Sequence, residues 1–276
     1  MAAHIKSILK RLTLAALLLF VVLYAAIALL LAMKERPLPA APDEMAGYRT
    51  VTIFGASGTA GDGILKAALA DTSIDRVHVI TRRATPRIEE GVATGKVLMT
   101  RHLDYMDYTA VLDQVSDSDA VYWAIGISSI GMDEETYAKI HVDFPLMFLK
   151  QWAGVRTQPD ASFHYISSSD ISESSTSMWA RQKLRAEKIL TGIASEHGLK
   201  VIAYRPDYIG PTREEAHLGQ TLLFWFFRPL GAAVRAKQIG QAMLEVSARV
   251  PEFENGDKVG TGGIILYSDA YEQRQL

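Results

Sequence analysis

Three glycines, a pair of arginines, and a lysine four residues beyond a tryptophan are the parts of this sequence whose types and spacing could do chemistry. Gly55, Gly58 and Gly61 stand in FGASGTAGDG, directly after a short β-branched run and directly before a helical one. A turn that tight, brought close to a pyrophosphate, needs residues without a Cβ, and the amide groups that open a helix meet negative charge well. Ser57, Thr59 and Ala60 complete the loop, whose spacing is G-x-x-G-x-x-G, and the strand-before, helix-after context makes dinucleotide binding the expected role. About 20 residues beyond the glycines, where an NAD site usually places a carboxylate for the ribose hydroxyls, the chain carries Thr81, Arg82 and Arg83 instead. Guanidinium groups can hold a 2′-phosphate by paired hydrogen bonds, so NADP(H) is expected rather than NAD.

Composition removes several other chemistries. The 276 residues include no cysteine, which excludes thiolate nucleophiles, disulfides and cysteine-held metal clusters. His102, His141 and His164 show no metal-ligand spacing and read as structural or surface residues, and no metal is expected. With 29 basic against 31 acidic residues the chain lacks the electrostatic footprint of a nucleic-acid binder.

The elements that must position these residues alternate in type. Runs such as RTVTIFG and DRVHVITRR alternate with helical stretches such as DGILKAALAD, the signature of βαβ units and a parallel sheet. Further strands are expected at 96–100, 120–126, 162–167 and 200–205, with a weaker one near 263–268, and helices near 134–153, 177–197 and 236–249. The fold class is therefore α/β, a three-layer Rossmann fold over residues 48–276, whose part after about residue 206 builds a pocket for a small-molecule substrate.

Ahead of that domain, residues 12–33 form an uncharged, mostly apolar run long enough for a helix to cross a hydrocarbon layer roughly 30 Å thick. Residues 1–33 are read as a single-pass anchor in the lipid bilayer, and the proline-bearing stretch 34–47 as its linker. Lys6, Lys10 and Arg11 before the run outweigh Lys34 and Arg36, diluted by Glu35, after it, which places the domain away from the cytoplasm. Supply of a soluble nicotinamide cofactor favours the cytosolic side, so the sequence leaves the side open. A second apolar stretch, LLFWFF within 211–235, is too short to span a bilayer. Core packing, a pocket cover, a dimer contact and a second membrane contact all fit it.

On these motifs the chain resembles the atypical short-chain dehydrogenase/reductase superfamily, the NAD(P)-binding Rossmann proteins of the epimerase, NmrA-like and Tat-interacting-protein-like kind, over roughly residues 49–270. The resemblance implies that Asp104 lies near the adenine, that Ala124, Ile125 and Gly126 run beneath the cofactor, and that Arg205 and Pro206 stand at the site mouth. It also matches Ser167 and Ser168, followed by Trp179 and Lys183, to the family's Ser…Tyr-x-x-x-Lys. In that scheme the serine holds the substrate oxygen, the tyrosine passes the proton, and the lysine holds the nicotinamide ribose and lowers the tyrosine pKa. Residues four apart share a helix face, so positions 179 and 183 can address one ligand. An indole N–H donates a hydrogen bond but is no proton shuttle near neutral pH. Three readings follow: Tyr165 or Tyr208 supplies the proton; the reaction needs little acid catalysis and Trp179 stacks on a ligand; or the protein is a catalytically silent NADP(H) sensor or scaffold.

Overall fold

The computed structural model describes residues 2–34, 37–40, 42, 45–212, 214 and 216–276. Parts of the expected linker (35, 36, 41, 43 and 44) and of the 211–235 stretch (213 and 215) lie outside the described residues. The chain opens with α1 (Ala2–Ala32), and the domain follows as β1 (Thr50–Phe54), α2 (Thr59–Ala70), β2 (Arg76–Thr81), α3 (Pro86–Ala93) and β3 (Val97–Arg101). Next come α4 (Thr109–Val115), β4 (Ala120–Trp123), α5 (Glu134–Ala138), α6 (Phe144–Val155), β5 (Ser162–Ile166), α7 (Met178–His197) and β6 (Lys200–Arg205). The last stretch holds β7 (Tyr208–Gly210), α8 (Leu218–Phe227), β8 (Ala233–Arg235), α9 (Ala236–Ala248), β9 (Lys258–Gly260) and α10 (Thr261–Arg274).

Seven parallel strands form one sheet in the order β3-β2-β1-β4-β5-β6-β9, and β7 pairs with β8 beside it. Strand order reverses between β1 and β4, the place where open parallel sheets bind ligands beyond their C-terminal edge. Strands β1, β2 and β4 are buried on both faces, as their β-branched and aromatic runs require. Val51, Ile53 and Tyr122 face one layer, with Ile64, Ile239, Met243 and Ile264 from α2, α9 and α10. Phe54, Val121 and Trp123 face the other, against Phe148 and Trp152 of α6 and Leu190 of α7. There Phe54 packs against Trp123 and Phe148 at ring-centroid distances of 4.6 and 4.5 Å. Such aromatic pairs contribute about 0.5–1.5 kcal/mol each beyond the area they bury.

Two elements depart from the sequence expectation. Residues 263–268 are part of helix α10, and the strand that closes the sheet is the three-residue β9 just before it. GIILYS is short and apolar, so its run alone does not separate strand from helix; the buried positions Thr261, Ile264, Ser268 and Tyr271 keep helical spacing. The helix expected near 134–153 is also interrupted by a π turn at Lys139–Asp143 between α5 and α6. Pro145, at the start of α6, has no N–H to offer the carbonyl four residues before it, that of His141. The Tyr165 hydroxyl donates to that carbonyl at 2.9 Å, which satisfies a group that burial would otherwise leave unpaired.

Helix α1 contains the described residues' one segment long and apolar enough to cross a membrane, Lys6–Ala32. Only Tyr24, Ala28 and Leu31 of its apolar stretch are partly covered, a stripe of one helix face turned toward the domain. The Tyr24 hydroxyl donates to the Phe226 carbonyl at 2.7 Å, and the two rings stack at 5.4 Å.

Candidate functional site

The C-terminal edges of β1, β2 and β4 enclose a cleft of about 420 Å³. Gly55, Ser57 and Gly58 form one wall, Thr81, Arg82 and Arg83 a second, and Ala124, Ile125 and Gly126 the third; Tyr105, Ile127, Ile140 and Phe144 complete it. Gly55 has φ +80°, and a Cβ there would lie 2.6 Å from the Ala124 carbonyl carbon. A Cβ on Gly61 would sit 2.0 Å from the Gly55 carbonyl oxygen, so those two glycines are demanded by the backbone itself. Gly58 is different: a Cβ would find its nearest protein atom at 3.5 Å, and its backbone is extended. Its bareness has no cause within the chain and suits close approach of a pyrophosphate. Gly58 caps α2 without a side-chain hydrogen bond, which leaves the first-turn amides to an anion.

Arg82 and Arg83 are exposed at the end of β2, and neither is paired with a carboxylate among the described residues. The Arg83 guanidinium reaches the Ser57 carbonyl at 3.5 Å, which sets it across the mouth of the glycine loop. On its other side a second cleft of about 490 Å³ shares Ser57, Gly58 and Arg83 and adds Thr59, Asp62, His217 and Gln220. Asp62 is held by Arg87 at 2.6 Å and by the Thr212 hydroxyl at 2.6 Å, which ties the segment after β7 to α2.

Beyond β5 lies the second group of expected residues. The Ser167 hydroxyl is buried without a hydrogen-bond partner among the described residues, while its backbone N–H donates to Tyr204. Lys183, only 6% exposed, donates from Nζ to the Ile166 carbonyl at 2.8 Å and lies 4.8 Å from the centre of the Tyr165 ring. Burial pushes its ammonium down to about 7, opposed by the nearby Glu187 carboxylate. Trp179 stands half-buried one turn earlier on α7, and Ser168 is half-buried.

His141, set by the π turn, joins the two regions. Its Nε2 lies 3.1 Å from the Ile127 carbonyl and 3.2 Å from the Ile127 amide nitrogen, and its ring stacks on Tyr137 at 4.1 Å. Burial and the Lys183 charge push its pKa down to about 3, so the imidazole is neutral at physiological pH. Nδ1 has no partner among the described residues.

Several expected residues stand elsewhere. Asp104 is exposed and accepts from the Met106 amide at 2.9 Å, while its neighbour Tyr105 lines the cleft. Ala60, Gly61, Lys183 and Pro206 do not line the cleft, and Arg205 is occupied by Glu187 at 2.9 Å. The two tyrosines weighed as proton donors are both engaged: Tyr165 donates to His141 and Tyr208 to the Gln220 carbonyl at 3.2 Å. Asp207 accepts from the Thr261 hydroxyl at 2.6 Å at the head of α10. Among the described residues no group of three or more His, Cys, Asp or Glu side chains is placed to hold a metal ion.

Comparison with known proteins fits this geometry. The profile of the NAD dependent epimerase/dehydratase family matches residues 51–234. The mitochondrial protein FMP52 of Chaetomium globosum is 30% identical over 186 residues, which cover 65% of this chain and 74% of that protein. Among solved structures, UDP-glucuronic acid 4-epimerase from Bacillus cereus in complex with NAD superposes with a TM-score of 0.57 at 14% identity, over 76% of each chain. Cj0485 dehydrogenase gives a TM-score of 0.62 at 14% identity, over 79% of this chain and 94% of its own. The family profile matches two thirds of the chain, and with the glycine loop at the switch point of a parallel sheet the chain belongs to the NAD dependent epimerase/dehydratase family.

Proposed function

We propose that this chain is a membrane-anchored, NADP(H)-binding oxidoreductase or epimerase-like enzyme whose substrate is a small molecule with a reducible carbonyl or an oxidisable hydroxyl. One observation carries the catalytic part: the buried Lys183 donates to the carbonyl of Ile166, the residue before the buried Ser167 hydroxyl, unpartnered among the described residues, at the C-terminal end of β5. Gly55, Ser57, Gly58, Thr59, Ala60 and Gly61 would cradle the pyrophosphate, Arg82 and Arg83 the 2′-phosphate, and Ala124, Ile125 and Gly126 the face of the cofactor. When bound, the nicotinamide supplies or accepts a hydride. The Ser167 hydroxyl, which has no partner among the described residues, holds the substrate oxygen. Lys183 moves the proton from Nζ, because its pKa of about 7 lets it give and take one near neutral pH without a phenol between. Trp179 stacks beside that oxygen and excludes water.

Anchoring rests on α1 and its apolar, exposed surface. The mitochondrial name of the Chaetomium relative makes a mitochondrial membrane the first place to look. A second reading, a silent NADP(H) sensor or scaffold, is favoured by Trp179 in the place of the family's proton-passing tyrosine.

The deciding experiment titrates the intact chain in detergent micelles with NADPH and NADH, then looks for turnover with apolar aldehydes and ketones. Tight NADPH binding with turnover that Lys183→Ala abolishes supports the enzyme. Tight binding without turnover across the panel supports the sensor. If NADH binds more tightly than NADPH, or if Arg83→Ala leaves the preference unchanged, the arginines do not hold a 2′-phosphate.

A further inference from the structure

Helix α8 carries an apolar outward face that is largely exposed and that Tyr24 of α1 touches at Phe226. Its sequence, LGQTLLFWFF, contains no charge. Phe224 alone is buried: it fills the space opposite Gly210 and packs under Arg235 at 4.4 Å. Leu218, Leu222, Trp225 and Phe226, spaced along one stripe, are 81%, 63%, 54% and 43% exposed. A continuous apolar surface of this kind marks an interaction site. Ten residues of helix, about 15 Å, cannot cross a bilayer, but they can lie in its plane.

The contact between α1 and α8 fixes what covers that face. Tyr24 stacks on Phe226 and donates to its carbonyl. Tyr24 stands eight residues before the end of α1, about 12 Å along the helix and well inside the apolar run. Whatever medium surrounds α1 at Tyr24 therefore also bathes the exposed side of α8. Closer to the end of α1, a groove of about 700 Å³ is lined by Leu31 and Lys34 on one side and by Trp225 and Arg228 on the other. Arg228 lies 5.5 Å from the centre of the Trp225 ring. Cations and a tryptophan at the end of an apolar helix are the residues that settle at the headgroup level.

We infer that α8 is embedded in the same lipid leaflet as the C-terminal half of α1, with its Leu222–Phe226 side in the acyl region and Arg228 and Lys34 at the headgroups. This rests on the reading of α1 as an anchor and adds a second, in-plane attachment that fixes the domain's tilt. It also brings the second cleft, through His217 and Gln220 at the start of α8, close to the membrane surface.

The absence of native cysteine makes the test specific, since one introduced thiol is the only one labelled. The intact chain is reconstituted in phosphatidylcholine–phosphatidylserine vesicles as four variants, Leu18→Cys in the anchor, Leu222→Cys and Leu218→Cys on α8, and Leu98→Cys on β3. Each carries an environment-sensitive fluorophore. The expected result is that labels at 18, 222 and 218 lose fluorescence to lipid-borne nitroxide and resist iodide, whereas the label at 98 shows the reverse. If the label at 18 meets lipid while both α8 labels meet iodide, the anchor stands and the α8 inference falls. If the α8 labels are shielded from both quenchers, a protein surface covers the helix and the inference is again overturned. Should the label at 18 itself meet iodide, the anchor reading fails and takes this one with it.

Discussion

Replacing Lys183 by methionine should flatten the dependence of stability on pH in a way that its neighbours do not. The side chain is buried, and its folded pKa of about 7 lies below the ordinary lysine value of 10.5. A depressed folded pKa means that the unfolded chain binds more protons between those two values, so stability rises with pH across that window. The penalty is absent above the unfolded value and complete once pH falls below the folded one. Near pH 8 the unfolded lysine is fully charged while the folded one is mostly neutral, which gives a slope of about 1 kcal/mol per pH unit. Between about pH 7.5 and pH 9 the intact chain should gain about 2 kcal/mol through this one group. Lys96, whose ammonium burial also pushes down, adds a slope of the same sign that the substitution leaves in place. The readout is therefore the difference in slope between the intact chain and Lys183→Met, measured by urea titration in detergent micelles with tryptophan fluorescence. Methionine keeps the side-chain volume but leaves the Ile166 carbonyl without its donor, so the absolute stability also moves. Parallel slopes in the two proteins would refute the reasoning, because they would mean that the folded lysine titrates as if exposed.

Three further outcomes are expected. Gly61→Ala should lower NADPH affinity by two orders of magnitude or so and destabilise the domain by about 1–3 kcal/mol, because the new Cβ would meet the Gly55 carbonyl oxygen at 2.0 Å; calorimetric titration and thermal unfolding measure both, and an alanine variant with unchanged affinity would remove the loop from the cofactor site. Trp179→Tyr should raise turnover of a working reductase by about 10²-fold, with cofactor affinity unchanged, by supplying the phenol that the lysine can tune. No change in turnover would show that position 179 does not address the reacting atoms. A chain lacking residues 1–36 should be released from membranes by carbonate washing while the intact chain stays in the pellet, and equal release of the two would dismiss α1 as the main tether.

What the sequence could show depended on range. The glycine loop and the arginines follow successive strands, β1 and β2, and a βαβ unit brings the loops after its two strands to one sheet edge, so Gly55, Gly58, Arg82 and Arg83 share one cleft. The apolar α1 was equally plain from length and composition. Residues 263–268 misled because a short apolar run carries no period of its own, and the real edge strand, Lys258–Gly260, is too short to announce itself. Tyr105, Ile140 and Phe144 line the cleft from segments distant in sequence, and His141 is a buried histidine whose Nε2 meets the Ile127 backbone, in line with a structural reading. None of these positions carries a spacing that signals such contact. Asp104 shows the converse: its place after β3 suits a ligand contact, but its carboxylate is satisfied by the adjacent backbone.

The bond from Tyr165 to the His141 carbonyl makes two distant substitutions interdependent. Proline at 145 withdraws a donor from the helix, and the phenol twenty residues later restores it. A change of Tyr165 to phenylalanine is therefore harmful only while Pro145 is present. Once a residue with an N–H occupies position 145, the hydroxyl is free to be lost or to take up other work. A chain that is to recruit Tyr165 into acid–base chemistry must alter the proline first, so the order in which these positions can change is set by a single buried carbonyl.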